Sequence, residues 1–139
     1  MSYFKTRAVL NQITTTDNTE AFITDLIDQS QSGLITVGFM NQYGFNLASQ
    51  DENIFKSFFD LDVLVRDGIG MKLAFKLFKM PAGKNLNGTD LIPSIIHKTL
   101  ELKPDFFIFG TQSPWLEKGA NALTQGKKHY TVDGFHDLD

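Results

Sequence analysis

The sequence has no cysteine among its 139 residues. That excludes a disulfide scaffold and thiolate catalysis, and it agrees with a cytosolic setting. An excess of base is missing as well. Thirteen lysines and arginines stand against sixteen acids, a formal charge of -3. With no basic block to hold a phosphate backbone, nucleic-acid binding loses its usual footprint. Long apolar runs are also lacking. The longest, such as Phe106-Phe107-Ile108-Phe109, fall far short of the ~20 residues a membrane helix needs. Met1 to Arg7 contains no apolar stretch of signal-peptide length, and neither repeats nor low-complexity segments occur. What remains is ordinary globular material, 42% hydrophobic and 21% charged. That composition argues against extended disorder. These features predict one soluble domain with a core of its own.

Periodicity predicts a first strand over Arg7 to Ile13. A capping-box spacing follows at Asp17-Asn18-Thr19-Glu20. Phe22, Ile23, Leu26 and Ile27 then fall on one face of a helix that Gly33 ends. Leu34 to Met40 reads as a second strand, left through a loop at Asn41-Gln42-Tyr43-Gly44. Asp51 caps a helix whose Ile54, Phe55, Phe58 and Phe59 turn inward. Val63-Leu64-Val65 is a short buried strand running into Asp67-Gly68-Ile69-Gly70. The next helix is expected to bury Leu73, Ala74, Leu77 and Phe78 and to expose Lys72, Lys76 and Lys79. After a loop from Pro81 to Asn87, Gly88-Thr89-Asp90 opens a helix with Ile92, Ile95 and Ile96 inside. Pro93 is tolerable in its first turn. Phe106 to Phe109 is a fourth strand, Pro114 a good first helical residue, and His129 to Asp133 a fifth strand. Trp115 and the thirteen phenylalanines are expected to pack in the core.

Strands alternating with helices predict an α/β fold, a mostly parallel Rossmann-like sheet with helices on both faces. Ligands of such sheets gather at the carboxyl ends of the strands. Asn41, Asp67, Gly110 and Asp133 each follow an expected strand and are expected to share one rim.

Asp67 is the sharpest chemical candidate. A carboxylate at a strand end, followed by two glycines that let a ligand approach the backbone, suits a general base. The same residue also suits a helix cap or a turn. Gly68-Ile69-Gly70 is half of a dinucleotide fingerprint, but Leu73 stands where a third glycine belongs, which argues against a nicotinamide or flavin site. Gly88, Thr89 and Asp90 offer hydroxyl, carboxylate and free amides at a helix start, fit for a phosphate or sugar and equally for an N-cap. Two D-x-D patterns, Asp60-Leu61-Asp62 and Asp137-Leu138-Asp139, lie at the wrong sheet edge and at a terminus. The histidines His97, His129 and His136 have no ligand spacing. No metal and no cofactor are predicted.

Taken in order, three segments resemble the WecG/TagA/CpsF family of bacterial glycosyltransferases. They are Thr36-Val37-Gly38-Phe39-Met40-Asn41 with Asn46-Leu47-Ala48, then Val63-Leu64-Val65-Arg66-Asp67-Gly68-Ile69-Gly70, then Asn87-Gly88-Thr89-Asp90-Leu91. Phe107-Ile108-Phe109-Gly110 is a weaker fourth. The resemblance implies inverting hexosyl transfer from a UDP-sugar, of N-acetylmannosamine type, to a lipid-linked acceptor in cell-surface polysaccharide biosynthesis. The donor is then a substrate and not a cofactor. The resemblance makes Asp67 the catalytic base and Asn41 a pocket residue, with Gly68, Gly88, Thr89, Asp90 and Gly110 binding substrate. It also implies a cytoplasmic enzyme peripheral to the inner membrane face.

Two departures from the family pattern stand out. Asn85, with Lys84 beside it, occupies a place usually held by arginine. By the same comparison, residues 1–139 form a single α/β domain corresponding to the N-terminal part of the catalytic domain, truncated relative to it. A sheet cut there would leave apolar surface uncovered, which predicts self-association, including homo-oligomers, or dependence on a partner. Two other readings stay open. One is a catalytically inactive truncated remnant that binds at most a nucleotide or partner. The other is an unrelated α/β enzyme acting on a phosphate ester or nucleotide.

Overall fold

The structure, a computed structural model, describes residues 3–135. The chain forms two compact units, Met1–Leu91 and Ile92–Asp139. Asp137-Leu138-Asp139 and His136 lie outside the described residues.

The first unit runs α1 (Tyr3–Gln12), β1 (Ile13–Thr14), α2 (Thr19–Ser30), β2 (Val37–Met40), α3 (Gln42–Gln50), α4 (Glu52–Phe59), β3 (Val63–Arg66) and α5 (Ile69–Leu77). It ends in the first turn of α6 (Gly88–Thr99). Its sheet has the order β1-β3-β2, with both pairings parallel. In the register, Ile13 pairs with Leu64 and Met40 with Arg66. The expected parallel α/β arrangement is present.

Residues 7–13 are a correction. They are helical up to Gln12, and only Ile13 and Thr14 join the sheet. Val9, Leu10 and Ile13 are buried, and their i, i+1, i+4 spacing is that of a helix face. A short apolar run does not separate the two periods by itself. Asn41 to Gly44 is likewise no loop, because α3 starts at Gln42. Gly44 reads as a breaker, yet its role is space: a Cβ there would lie 3.2 Å from the Phe58 ring, so glycine lets α3 approach α4. The cap of α2 is Asn18 and not Asp17, its side chain accepting from the Ala21 amide at 3.1 Å.

One face of the sheet carries the core. Val9, Leu10, Ile13, Met40, Leu64, Met71 and Phe75 form it, ringed by half-buried Phe45, Phe55, Phe58, Phe59 and Phe78. The opposite face, with Val63, meets α2, whose buried Leu26 shares a hollow with Thr14 and Val63. In α5 the buried pair is Met71 and Phe75. Leu73 and Leu77, expected inside, are 57% and 73% exposed. The inward stripe 71, 74, 75, 78 already satisfies helical spacing, which leaves positions 73 and 77 on the opposite side.

The second unit holds the rest of α6, a short 3₁₀ turn (Leu100–Leu102), β4 (Phe106–Gly110), α7 (Trp115–Thr124) and β5 (His129–Asp133). Both strands lie where the sequence places them, and they pair in parallel from Phe106↔His129 to Gly110↔Asp133. Leu116, Ala120 and Thr124, four residues apart, form the buried face of α7. The Thr124 hydroxyl donates to the Ala120 carbonyl at 2.9 Å and lies 3.1 Å from His129 Nδ1. Trp115, expected inside, is 67% exposed. Phe107, Phe109, Tyr130 and Val132, alternate residues of β4 and β5, are also exposed. Among the described residues no helix is long and apolar enough to cross a membrane.

Candidate functional site

Parallel pairing of β2 with β3 brings two candidate residues to one edge. Asn41 and Asp67 directly follow the paired residues Met40 and Arg66. The Asp67 amide donates to the Met40 carbonyl at 2.9 Å. Both residues therefore leave the carboxyl end of the sheet side by side.

Asn41 caps α3. Its Oδ1 accepts the Gly44 amide at 2.8 Å and its carbonyl accepts the Phe45 amide at 2.9 Å. The carboxamide nitrogen has no partner among the described residues and remains a donor at the rim. Asp67 is half-buried, and its carboxylate accepts no hydrogen bond from any described residue. Nor does it cap α5, where the N-cap is Gly68 with no side-chain cap bond. Gly68 has φ +85°, a conformation that only glycine adopts without strain. The turn thus holds an unengaged carboxylate above a helix whose first amides have no helical acceptor.

Beneath this turn lies a residue to which the sequence assigned no role. Arg66 is only 3% exposed. Its Nε donates to the Ala82 carbonyl at 3.0 Å and its Nη2 to the Gly83 carbonyl at 3.1 Å. Nη1 reaches both the Gly68 carbonyl at 2.9 Å and Asn85 Oδ1 at 3.2 Å. Burial lowers its pKa from the ordinary arginine value, and the Asp67 carboxylate opposes that shift. A signal was available: Arg66 is two residues from Leu64, on the core side of a strand, where a charge must find partners. Asn85 spends its oxygen on the same assembly, accepting the Gly68 amide at 2.8 Å.

The Gly88-Thr89-Asp90 segment is anchored to the same strand end, since the Leu86 amide donates to the Arg66 carbonyl at 3.1 Å. Its cap is Asn87, whose carbonyl accepts the Leu91 amide at 2.9 Å. Asn87 Oδ1 accepts the Asp90 amide and the Thr89 hydroxyl, each at 2.8 Å, and its nitrogen donates to Asp90 Oδ2 at 2.9 Å. Gly110 belongs to the second unit. It ends β4 beside Asp133, and its carbonyl accepts the Gly134 amide.

Between α3 and α5 opens a cleft of about 200 Å³, lined by Gln42, Phe45, Asn46, Gly70, Leu73 and Leu77 among others. A Cβ on Gly70 would come within 2.6 Å of Gln42 Oε1, so that glycine allows the two helix starts to converge. The D-x-D carboxylate of Asp62 is used structurally. It accepts the Thr36 amide at 2.7 Å and the Thr36 hydroxyl at 2.6 Å, which lowers its pKa. Among the described residues no group of three or more His, Asp or Glu side chains converges to hold a metal.

The model of the glycosyl transferase WecG/TagA/CpsF family matches residues 6–138. The chain belongs to this family. The resemblance carried by the Asn41, Asp67 and Asn87-to-Leu91 segments is thereby borne out, and the chain is a glycosyltransferase of the WecG/TagA/CpsF type. A comparison with curated proteins gives no match. Within this WecG/TagA/CpsF chain, Asn85 ties the Asp67 turn to Arg66.

Proposed function

We propose that this glycosyltransferase moves a hexosyl group, of N-acetylmannosamine type, from a UDP-sugar to a lipid-linked acceptor in cell-surface polysaccharide biosynthesis, with inversion. One observation carries the reading: a half-buried, unengaged carboxylate, Asp67, stands at the carboxyl edge of a parallel sheet beside the free amide of Asn41.

In this reaction the acceptor hydroxyl oxygen attacks the anomeric carbon as the bond from that carbon to the diphosphate oxygen breaks. UDP leaves with the electron pair. Asp67 takes the hydroxyl proton, and attack from the face opposite the leaving group inverts the centre. General-base help of this kind contributes about 10²–10⁴ in rate. Asn41 donates its amide to a sugar or phosphate oxygen. Gly68, which carries no side chain, lets the diphosphate approach the first amides of α5, a setting that suits anions. Gly88, Thr89 and Asp90 offer a second helix start, while a substrate-binding role for Gly110, in the second unit, rests on the family resemblance alone. The reading assigns no resident metal or cofactor.

The test is UDP release from UDP-hexosamines with a lipid-mimetic acceptor, wild type beside Asp67→Asn. Turnover that falls at least about 100-fold in the variant supports the reading. Donor binding without turnover in the wild type replaces it with a nucleotide-binding module. No affinity for UDP removes it.

A further inference from the structure

From Gly68 to Thr89 the chain has four lysines, Lys72, Lys76, Lys79 and Lys84, and no acid, although the whole protein carries -3. The fold concentrates this segment on one surface. With Met71 and Phe75 turned into the core, the outward arc of α5 is left with Ile69, Lys72, Leu73, Lys76 and Leu77, all exposed, and Lys79 follows at its end. Ile69 is 84% exposed. None of these lysines forms an ion pair with a described residue.

Other exposed helix faces of this unit are built differently. On α2 the outward residues include Glu20, Asp25 and Asp28, and on α4 they include Glu52, Asn53 and Lys56. Aliphatic side chains flanked only by lysines recur on α5 alone among them. The cleft between α3 and α5 opens along the same strip, with Leu73 and Leu77 in its wall.

We propose that the outward face of α5 docks on an anionic lipid surface. Lysines attract acidic headgroups within a Debye length of such a surface. Ile69, Leu73 and Leu77 supply the apolar contact that holds an interfacial helix at the headgroup boundary. A protein groove fits less well, since the strip has no aromatic anchor of the kind that dominates protein interfaces. Because α5 starts two residues after Asp67, docking holds the Asp67 turn beside the headgroup layer, where a lipid-linked acceptor presents its hydroxyl. That purpose rests on the glycosyltransferase reading, whereas the docking face does not.

The experiment is sedimentation of the whole protein with vesicles of phosphatidylcholine alone or mixed equally with phosphatidylglycerol, at low and high salt. Expected are binding to the mixed vesicles only, release by salt, and at least about tenfold weaker binding for Lys72→Glu/Lys76→Glu. Leu73→Glu is expected to weaken binding similarly, whereas Lys127→Glu, in the second unit, is expected to bind as the wild type does. Equal binding to both vesicle types, or unchanged binding in the α5 variants, overturns the proposal. So does sedimentation without vesicles that the α5 variants abolish, which would make the face a contact between copies. UDP release with a water-soluble acceptor is read in parallel, and Lys72→Glu/Lys76→Glu is expected to leave it unchanged. Vesicle binding without UDP release sinks the glycosyltransferase reading alone, and UDP release without vesicle binding sinks the docking proposal alone.

Discussion

Asn85 Oδ1 lies 3.2 Å from Arg66 Nη1 and 2.8 Å from the Gly68 amide, so one carboxamide oxygen ties a buried guanidinium to the turn that presents Asp67. Removing it takes one of two acceptors from Arg66 Nη1 and the side-chain partner from the Gly68 amide. Asn85→Ala is expected to destabilise the protein by about 2 kcal/mol, the sum of a neutral and a charge-assisted hydrogen bond. Asn85→Asp keeps an acceptor and is expected to recover most of the loss. Arg66→Lys is expected to behave like Asn85→Ala, because an ammonium cannot reproduce the planar fork that serves four acceptors. Urea denaturation of the four proteins checks the order.

Two glycines are expected to respond in opposite directions. Gly68 has φ +85° and ψ 170°, a region almost confined to glycine, so Gly68→Ala costs about 1–3 kcal/mol of strain. Gly119 lies inside α7, and a Cβ there meets nothing within 4 Å. Gly119→Ala is expected to stabilise by about 0.5–1 kcal/mol through helix propensity. Thermal melts of both variants supply the signs.

Asp67 makes no hydrogen bond with the described residues and only a through-space attraction to Arg66, so Asp67→Asn is expected to cost no more than about 1 kcal/mol of stability. Loss of turnover with a little-changed melting curve separates a chemical role from a structural one. A large drop in stability would contradict the geometry described above.

Asp62 has a lowered pKa because the Thr36 hydroxyl and amide bond its ionised form. A carboxylate whose folded value is depressed adds stability above its unfolded pKa and loses it as pH falls through the folded value. The clamp is therefore expected to persist at pH 5 and to fail only below the ordinary value of 3.8. Carboxyl-carbon NMR titration is expected to place Asp62 below that value in wild type and closer to it in Thr36→Val.

On the β4–β5 sheet the Phe107 and Tyr130 rings stack at 4.7 Å with most of the Phe107 side chain exposed. Together with Phe109 and Val132 they make an apolar surface of the kind that associates. Light scattering is expected to report a mass that rises with concentration, and Phe107→Ser/Phe109→Ser is expected to reduce that rise. A mass independent of concentration in wild type would refute this.

Much of the fold was legible in the residues themselves. Val63-Leu64-Val65 and Phe106 to Phe109 are strands because β-branched and aromatic runs of that length, bounded by Asp-Gly and by Pro or Gly, have few alternatives. The same local logic brought Asn41 and Asp67 to strand ends, and parallel pairing made them neighbours. It failed at residues 7–13 and at Asn41 to Gly44, where helix and strand, or helix and loop, are nearly balanced locally and packing against α4 or the core decides.

The parallel α/β class and the strand-end place of the candidate carboxylate follow from local pattern and spacing, and the resemblance to the family follows from the ordered set of short segments. Tertiary structure decided the rest. It revealed the clamp joining Arg66, Asn85 and Gly68, the cap at Asn87, and the choice of Met71 and Phe75 over Leu73 and Leu77 as the inward face of α5. Hydrogen bonds between residues 17 or 19 positions apart, and the direction in which a helix turns its apolar stripe, depend on where the chain returns in space. No local spacing encodes that.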